Sequence, residues 1–198
     1  MRLSAIVGVI IIVLTAAWSD CKKEQPMMPG YRSDKGSPRK LKRNQLDSEN
    51  LASDAFNAVL DYLRESEGRQ RDATALSMPQ HWRAIYTTCC LDGEVNNGGH
   101  HQFFWNSDGA LNKETLEDLS YMGAEPFVSI FRDALTVYLE RDYAKAKRLS
   151  GNSWEGFTEG YRDKRLADCD GRFYKEKKSI YDYVAEFIRR HGDLYCEL

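Results

Sequence analysis

Residues 94–109 read Glu-Val-Asn-Asn-Gly-Gly-His-His-Gln-Phe-Phe-Trp-Asn-Ser-Asp-Gly, the one conspicuous run in a chain of 198 residues. Three chemistries are open to it. Glu94 and His101 stand on either side of a Gly-Gly turn, where a carboxylate and an imidazole form an acid/base pair, the core of a metal-dependent hydrolase. A zinc pair on a helix, however, needs two histidines four residues apart. His100 and His101 are adjacent and diverge by about 100° on a helix. His81 and His191 are the remaining histidines. The second chemistry is recognition: Gln102, Asn106 and an aromatic would present a polar-aromatic patch. The third is structural: Glu94 and the Asn and Gln side chains cap helix ends and satisfy backbone groups at a turn.

Local rules favour a kinked junction there. Asn96, Asn97, Gly98 and Gly99 tolerate the left-handed conformation that ends a helix. A short helix restarts over His100–Trp105. Phe103, Phe104 and Trp105 are too large to be exposed together, so at least two pack inward. Asn106 to Gly109 close the run with turn residues.

The elements that position this junction are helices. Ala52, Phe56, Val59, Leu60 and Leu63 share one face, with Ser48 as the expected N-cap. Trp82, Ile85, Tyr86 and Cys89 follow Pro79, a residue suited to a first turn. Leu116, Leu119 and Met122 form a stripe stopped by Gly123. Phe127, Ile130, Phe131, Ala134 and Tyr138 make a fourth, and Leu166, Cys169 and Phe173 a fifth. Ile180, Tyr183, Val184, Phe187 and Ile188 complete the set before Gly192. No segment alternates with period two. An all-α, compact single-domain array of six or seven helices is expected over residues 46–198.

Ahead of it, residues 1–21 read as a signal peptide or membrane anchor. Arg2 precedes an apolar run from Ala5 to Trp18, short for a membrane span and suited to a signal sequence. Cys21 is the lipidation candidate. Residues 22–45 are rich in Pro, Gly, Lys and Arg and read as a disordered basic linker. Those bases favour keeping their side of an anchor in the cytoplasm. Cys89, Cys90, Cys169 and Cys196 remain in the domain, and a Cys169–Cys196 disulfide is one option. No CxxC spacing is present, so zinc ribbons and thioredoxin-type sites are excluded.

The net charge of −2 hides an uneven distribution: residues 44–142 carry 7 Lys and Arg against 17 Asp and Glu, and residues 143–198 carry 12 against 10. Asp47, Glu49, Asp54, Asp61, Glu65, Glu67 and Asp72 run along the first helix and its exit, interrupted by Arg64, Arg69 and Arg71. Such a surface repels nucleic acid and attracts basic partners.

The run Glu94, Val95, Asn96, Asn97, Gly98, Gly99, Gln102, Phe103, Phe104 and Asn106 closely resembles the signature of a bacterial domain family, the DNA mimic protein nineteen-like domain. His100 stands where that family usually has an aromatic. The Met122-Gly123-Ala124 helix end and Leu166, Asp170, Phe173 and Tyr174 extend the similarity over roughly residues 50–191. The resemblance implies an all-α fold. It also implies a protein whose carboxylates imitate DNA phosphates before a DNA-binding protein.

The expected function is a non-enzymatic acidic module at the bacterial cell envelope, binding a basic protein. It would need no cofactor and no direct nucleic-acid contact, and it would touch the membrane through its N-terminal segment. A toxin-neutralising immunity-type protein and a metal-dependent hydrolase centred on residues 94–101 are the alternatives.

Overall fold

The structure, a computed structural model, describes residues 36–141, 147, 149–151, 153–160 and 163–197. The expected signal or anchor, Cys21 and most of the linker lie outside the described residues. A 3-10 turn, Arg43–Asp47, leads into α1 (Leu51–Tyr62), α2 (Gly68–Leu76), α3 (Gln80–Ser107), α4 (Asn112–Tyr121) and α5 (Glu125–Glu140). Then come α6 (Trp154–Gly160), α7 (Lys164–Phe173), α8 (Ile180–Arg190) and α9 (Gly192–Tyr195). The fold is all-α, and no strand occurs among the described residues. Nor, among them, is any helix long and apolar enough to cross a membrane.

The long helix α3 is the axis. Helices α1, α2, α4, α7 and α8 all pack on it, and α5 closes the assembly against α4 and α7. Each expected apolar stripe finds the core: Val59 of α1 and Leu63 just past its end, Trp82 and Ile85 of α3, Phe127 and Phe131 of α5, Val184 and Ile188 of α8 are all at most 2% exposed. Burying each such side chain is worth roughly 1.5–3 kcal/mol. Helices α2, α6 and α9 are short and carry no long stripe, which is why periodicity passed over them.

Helix ends follow capping chemistry. Ser179 and Asp182 form a reciprocal box at the start of α8, and the Asp163 carboxylate accepts the Arg165 N–H at the start of α7. Ser48 does not cap α1. The helix starts later, with Asn50 at the N-cap position, and the Ser48 hydroxyl accepts the Asn50 N–H at 3.1 Å.

The boundary of the domain also differs from expectation. The linker does not extend to residue 45. Leu41 is fully buried; its N–H donates to the Tyr195 carbonyl at 2.8 Å and its own carbonyl accepts the Glu197 N–H at 3.0 Å. Arg189 donates to the Leu46 carbonyl at 3.0 Å and holds the 3-10 turn against α8. A lone leucine in a basic run has no periodicity to announce it, but its backbone pairs with the C-terminal segment and its side chain is drawn inside. The Cys169–Cys196 disulfide does not form: Cys89, Cys90, Cys169 and Cys196 are all free thiols.

Candidate functional site

Helix α3 breaks where Asn96 to Gly99 predict it. Gly98 (φ −158°, ψ 30°) and Gly99 (φ 72°, ψ 177°) leave helical geometry, and the helix resumes at His100. A break exposes carbonyls on one side and N–H groups on the other, and both need partners. Helix α7 supplies them. Tyr174, just past its end, donates its hydroxyl to the Val95 carbonyl at 2.6 Å. Asp170 accepts the His100 backbone N–H at 2.8 Å, acting as an N-cap supplied from a distant helix. The same Asp170 oxygen accepts from His100 Nδ1 at 2.6 Å. The two sequence elements that carried the resemblance therefore meet in space.

His100 is fully buried, edge-on to Phe173 at 5.7 Å and tilted over Phe131 at 6.3 Å. It occupies the position of an aromatic and packs as one. His101 turns the other way, as the angular step requires. Its Nε2 donates to the Phe157 carbonyl of α6 at 2.7 Å, and its ring lies 4.9 Å from that of Phe157. Burial holds its pKa below the usual 6.5, so the neutral ring is favoured. Phe103 and Phe104 are each 1% exposed and pack on Phe131, with Phe104 stacked 4.6 Å from Tyr138; Trp105 is half-buried.

Glu94 spans the break. One carboxylate oxygen accepts from Gln102 Nε2 at 2.6 Å and from Asn106 Nδ2 at 2.8 Å. Gln102 and Asn106 are four residues apart and share a face, so a single carboxylate fixes the angle between the two halves of α3. Asn96 ties back to Asp92, and Asn97 is exposed. The acid/base option for this run finds no hydrogen bond between Glu94 and His101. Glu94 is engaged by two amides, and His101 Nε2 donates to a carbonyl. Among the described residues no group of three or more His, Cys, Asp or Glu is arranged to hold a metal ion.

The acids of the first third of the domain are on the surface. Asp47, Glu49, Asp61, Glu65 and Glu67 are exposed, while Asp54 and Asp72 are partly so. Their interruptions are unequal. Arg64 neutralises Asp61 at 2.6 Å, with Arg39 near the other oxygen at 4.0 Å. Arg69 pairs instead with Asp108, and Arg71 donates to the Ser66 carbonyl at 3.2 Å.

Periodicity had no means of finding a groove of about 600 Å3 beside α2 and α3. It brings together two residues that the sequence assigned to different features: Asp72 from the acidic row and Glu94 from the junction. Tyr86, Cys90, Asn106 and Asp108 line it with them.

No curated protein and no solved structure matches the chain. A family model described as DMP19-like protein matches residues 76–191, a span from the end of α2 through α8 that contains the break in α3 and the helix that seals it. The chain belongs to the DMP19-like protein family.

Proposed function

We propose that the chain is a non-enzymatic, acidic, helical module that binds a basic protein by offering carboxylates where DNA offers phosphates. The N-terminal apolar segment holds it at the cell envelope. The observation that carries this reading is the exposed acid row of the 3-10 turn, α1 and α2. Asp47, Glu49, Asp54, Glu67 and Asp72 form no ion pair with any described residue, whereas Asp61 does. Arg69 pairs with Asp108, and Arg71 donates to the Ser66 carbonyl while its charge acts on Asp72, so Asp47, Glu49, Asp54 and Glu67 stay without an ion-pair partner among the described residues. Like charges close in sequence on a surface repel each other, and a basic partner relieves that repulsion. Family membership supports the same reading.

Competition with DNA tests it. Basic host proteins are loaded on immobilised duplex DNA at low salt, and the purified chain is passed over them. Elution by the wild-type chain, lost at high salt and lost with Asp47, Glu49, Asp54 and Glu67 replaced by their amides, is the expected result. Elution unaffected by these four replacements, or no elution at all, overturns the reading.

A further inference from the structure

Among the described residues, the two most exposed large apolar side chains flank one turn. Leu149 is 78% exposed and Trp154 is 71% exposed. Between them the Ser153 N–H donates to the Ser150 carbonyl at 3.2 Å, and the Ser153 hydroxyl accepts the Gly156 N–H at 3.1 Å as α6 begins. The turn is packed down on α6: the Ser150 side chain fills the space where a Cβ of Gly156 would sit. On its inner side α6 is seated by Phe157, 4.9 Å from the ring of His101 and 5.4 Å from that of Trp105. Trp154, one turn earlier, lies tilted against Phe157 at 5.5 Å and keeps most of its surface outside. Apolar surface held out in this way marks a contact with something else.

Charge identifies what covers it. Residues 141–165 carry seven Lys and Arg against four Asp and Glu, the reverse of the balance over residues 44–142. Arg141 and Arg165 are paired with Asp163 and Glu140, and Lys147 with Asp108. Lys164 is exposed and forms no ion pair with any described residue, and Lys145, Arg148 and Arg162 add three bases to the same stretch of sequence. A basic protein is repelled here, and an anionic surface is attracted. An indole suits the boundary between water and hydrocarbon, and lysines and arginines beside it reach lipid phosphates. The apolar run Ala5–Trp18 precedes the described residues, and residues 19–35 reach at most about 60 Å when extended. A domain on such a tether meets the bilayer at high effective concentration, so a small patch suffices. We infer that Leu149 and Trp154 enter an anionic phospholipid surface, with the neighbouring bases on its headgroup phosphates. The inference rests on the reading of the N-terminal segment as an envelope anchor and adds a second membrane contact, made by the folded domain.

The test reconstitutes the full chain in vesicles of phosphatidylcholine, alone or mixed with phosphatidylglycerol. Part of the lipid carries bromine on its acyl chains, which quenches tryptophan on contact. Every chain carries Trp18→Phe, so that the anchor's own indole is silent. Flotation with the vesicles reports the anchor, and the emission that disappears in Trp154→Phe reports Trp154. Brominated anionic vesicles are expected to quench most of the Trp154 emission. Leu149→Ser and high salt should each restore much of it. Both substitutions are at exposed positions, and an unchanged melting temperature confirms that the fold is intact. Flotation without quenching of Trp154 overturns the second contact and leaves the anchor standing. Equal quenching in vesicles with and without phosphatidylglycerol overturns the anionic assignment. A shift of Trp154 emission to the blue without vesicles, growing with chain concentration, means that a second copy covers the patch and overturns the lipid assignment. Neither flotation nor quenching overturns both the contact and the anchor.

Discussion

Asp170 accepts two hydrogen bonds from one residue: the same carboxylate oxygen takes the backbone N–H of His100 at 2.8 Å and its Nδ1 at 2.6 Å. The carboxylate therefore sets both the point at which the second half of α3 begins and the tautomer of a fully buried ring. With Nδ1 donating, a neutral His100 carries its lone pair on Nε2, which lies among aromatic rings without a partner among the described residues. A phenylalanine there would fill the space but give Asp170 one donor fewer.

This relationship predicts an unusual penalty at Gly99. A Cβ added there would sit 2.9 Å from Asp170 Cγ, and φ of 72° with ψ of 177° is a conformation that side chains strongly disfavour. The backbone term alone is roughly 1–3 kcal/mol. Displacing Asp170 adds the loss of two bonds to a charged acceptor. Gly99→Ala is expected to lower stability by about 3 kcal/mol or more. Gly123 has φ of 76° with nothing within 4 Å of an added Cβ, so Gly123→Ala pays only the left-handed cost of roughly 1–2 kcal/mol. Urea midpoints of the two variants measure the difference. Equal losses would show that Asp170 does not press on Gly99.

The position of the break was legible because its cause is local: Asn-Asn-Gly-Gly needs no partner to make a helix stop. What seals it was not legible. Asp170 and Tyr174 lie 70 and 79 residues from the groups they meet, and nothing in a carboxylate or a phenol says which backbone group it will meet. The stripes of α1, α3, α4, α5, α7 and α8 were readable from their repeat, whereas α2, with half of its residues polar or charged, has no face to repeat. The groove was hidden for the same reason. Asp72 belongs to α2 and Glu94 to α3, and only their packing puts them in one lining.

A buried ion pair makes a second stability prediction. Arg83 grips Asp118 with two donors at 2.9 and 2.7 Å, Thr87 donates to the same carboxylate at 2.9 Å, and Asp118 is fully buried. Asp118→Ala leaves a guanidinium that is only 17% exposed with the longer Glu117 contact, 3.7 Å, as its remaining ion pair. The expected loss is about 3–5 kcal/mol. Replacing both partners, Arg83→Met with Asp118→Leu, should recover most of it, because apolar groups of similar size carry no desolvation cost. A double variant no more stable than Asp118→Ala would mean that the pair is needed for packing rather than for charge balance.

The thiols should be inert. Burial pushes Cys90 up to about 12 and Cys169 up to about 11, so the reactive thiolate is scarce at neutral pH. Alkylation at pH 7.5 followed by peptide mass mapping should find both nearly unmodified in the native protein and fully modified in urea. Rapid native labelling of Cys90 would mean that the groove opens far enough to ionise it.

The last prediction concerns acid. His101 and His81 both have pKa values below the usual 6.5, chiefly because burial disfavours the imidazolium. In the window between the depressed folded values and 6.5, the unfolded chain binds more protons than the folded one. Stability contributed by the neutral rings is complete above that window and is lost as pH falls through it. Asp163 and Asp182 have depressed values too, so their contribution is lost only at lower pH, below the carboxylate value of 3.8. Two stages of acid destabilisation are therefore expected. His101→Gln keeps a donor for the Phe157 carbonyl but cannot charge, so the first stage should shrink while the second stays. Unfolding followed by circular dichroism from pH 7.5 to 3 separates the two. A variant with an unaltered slope between pH 6.5 and 5 would assign the first stage to His81 alone.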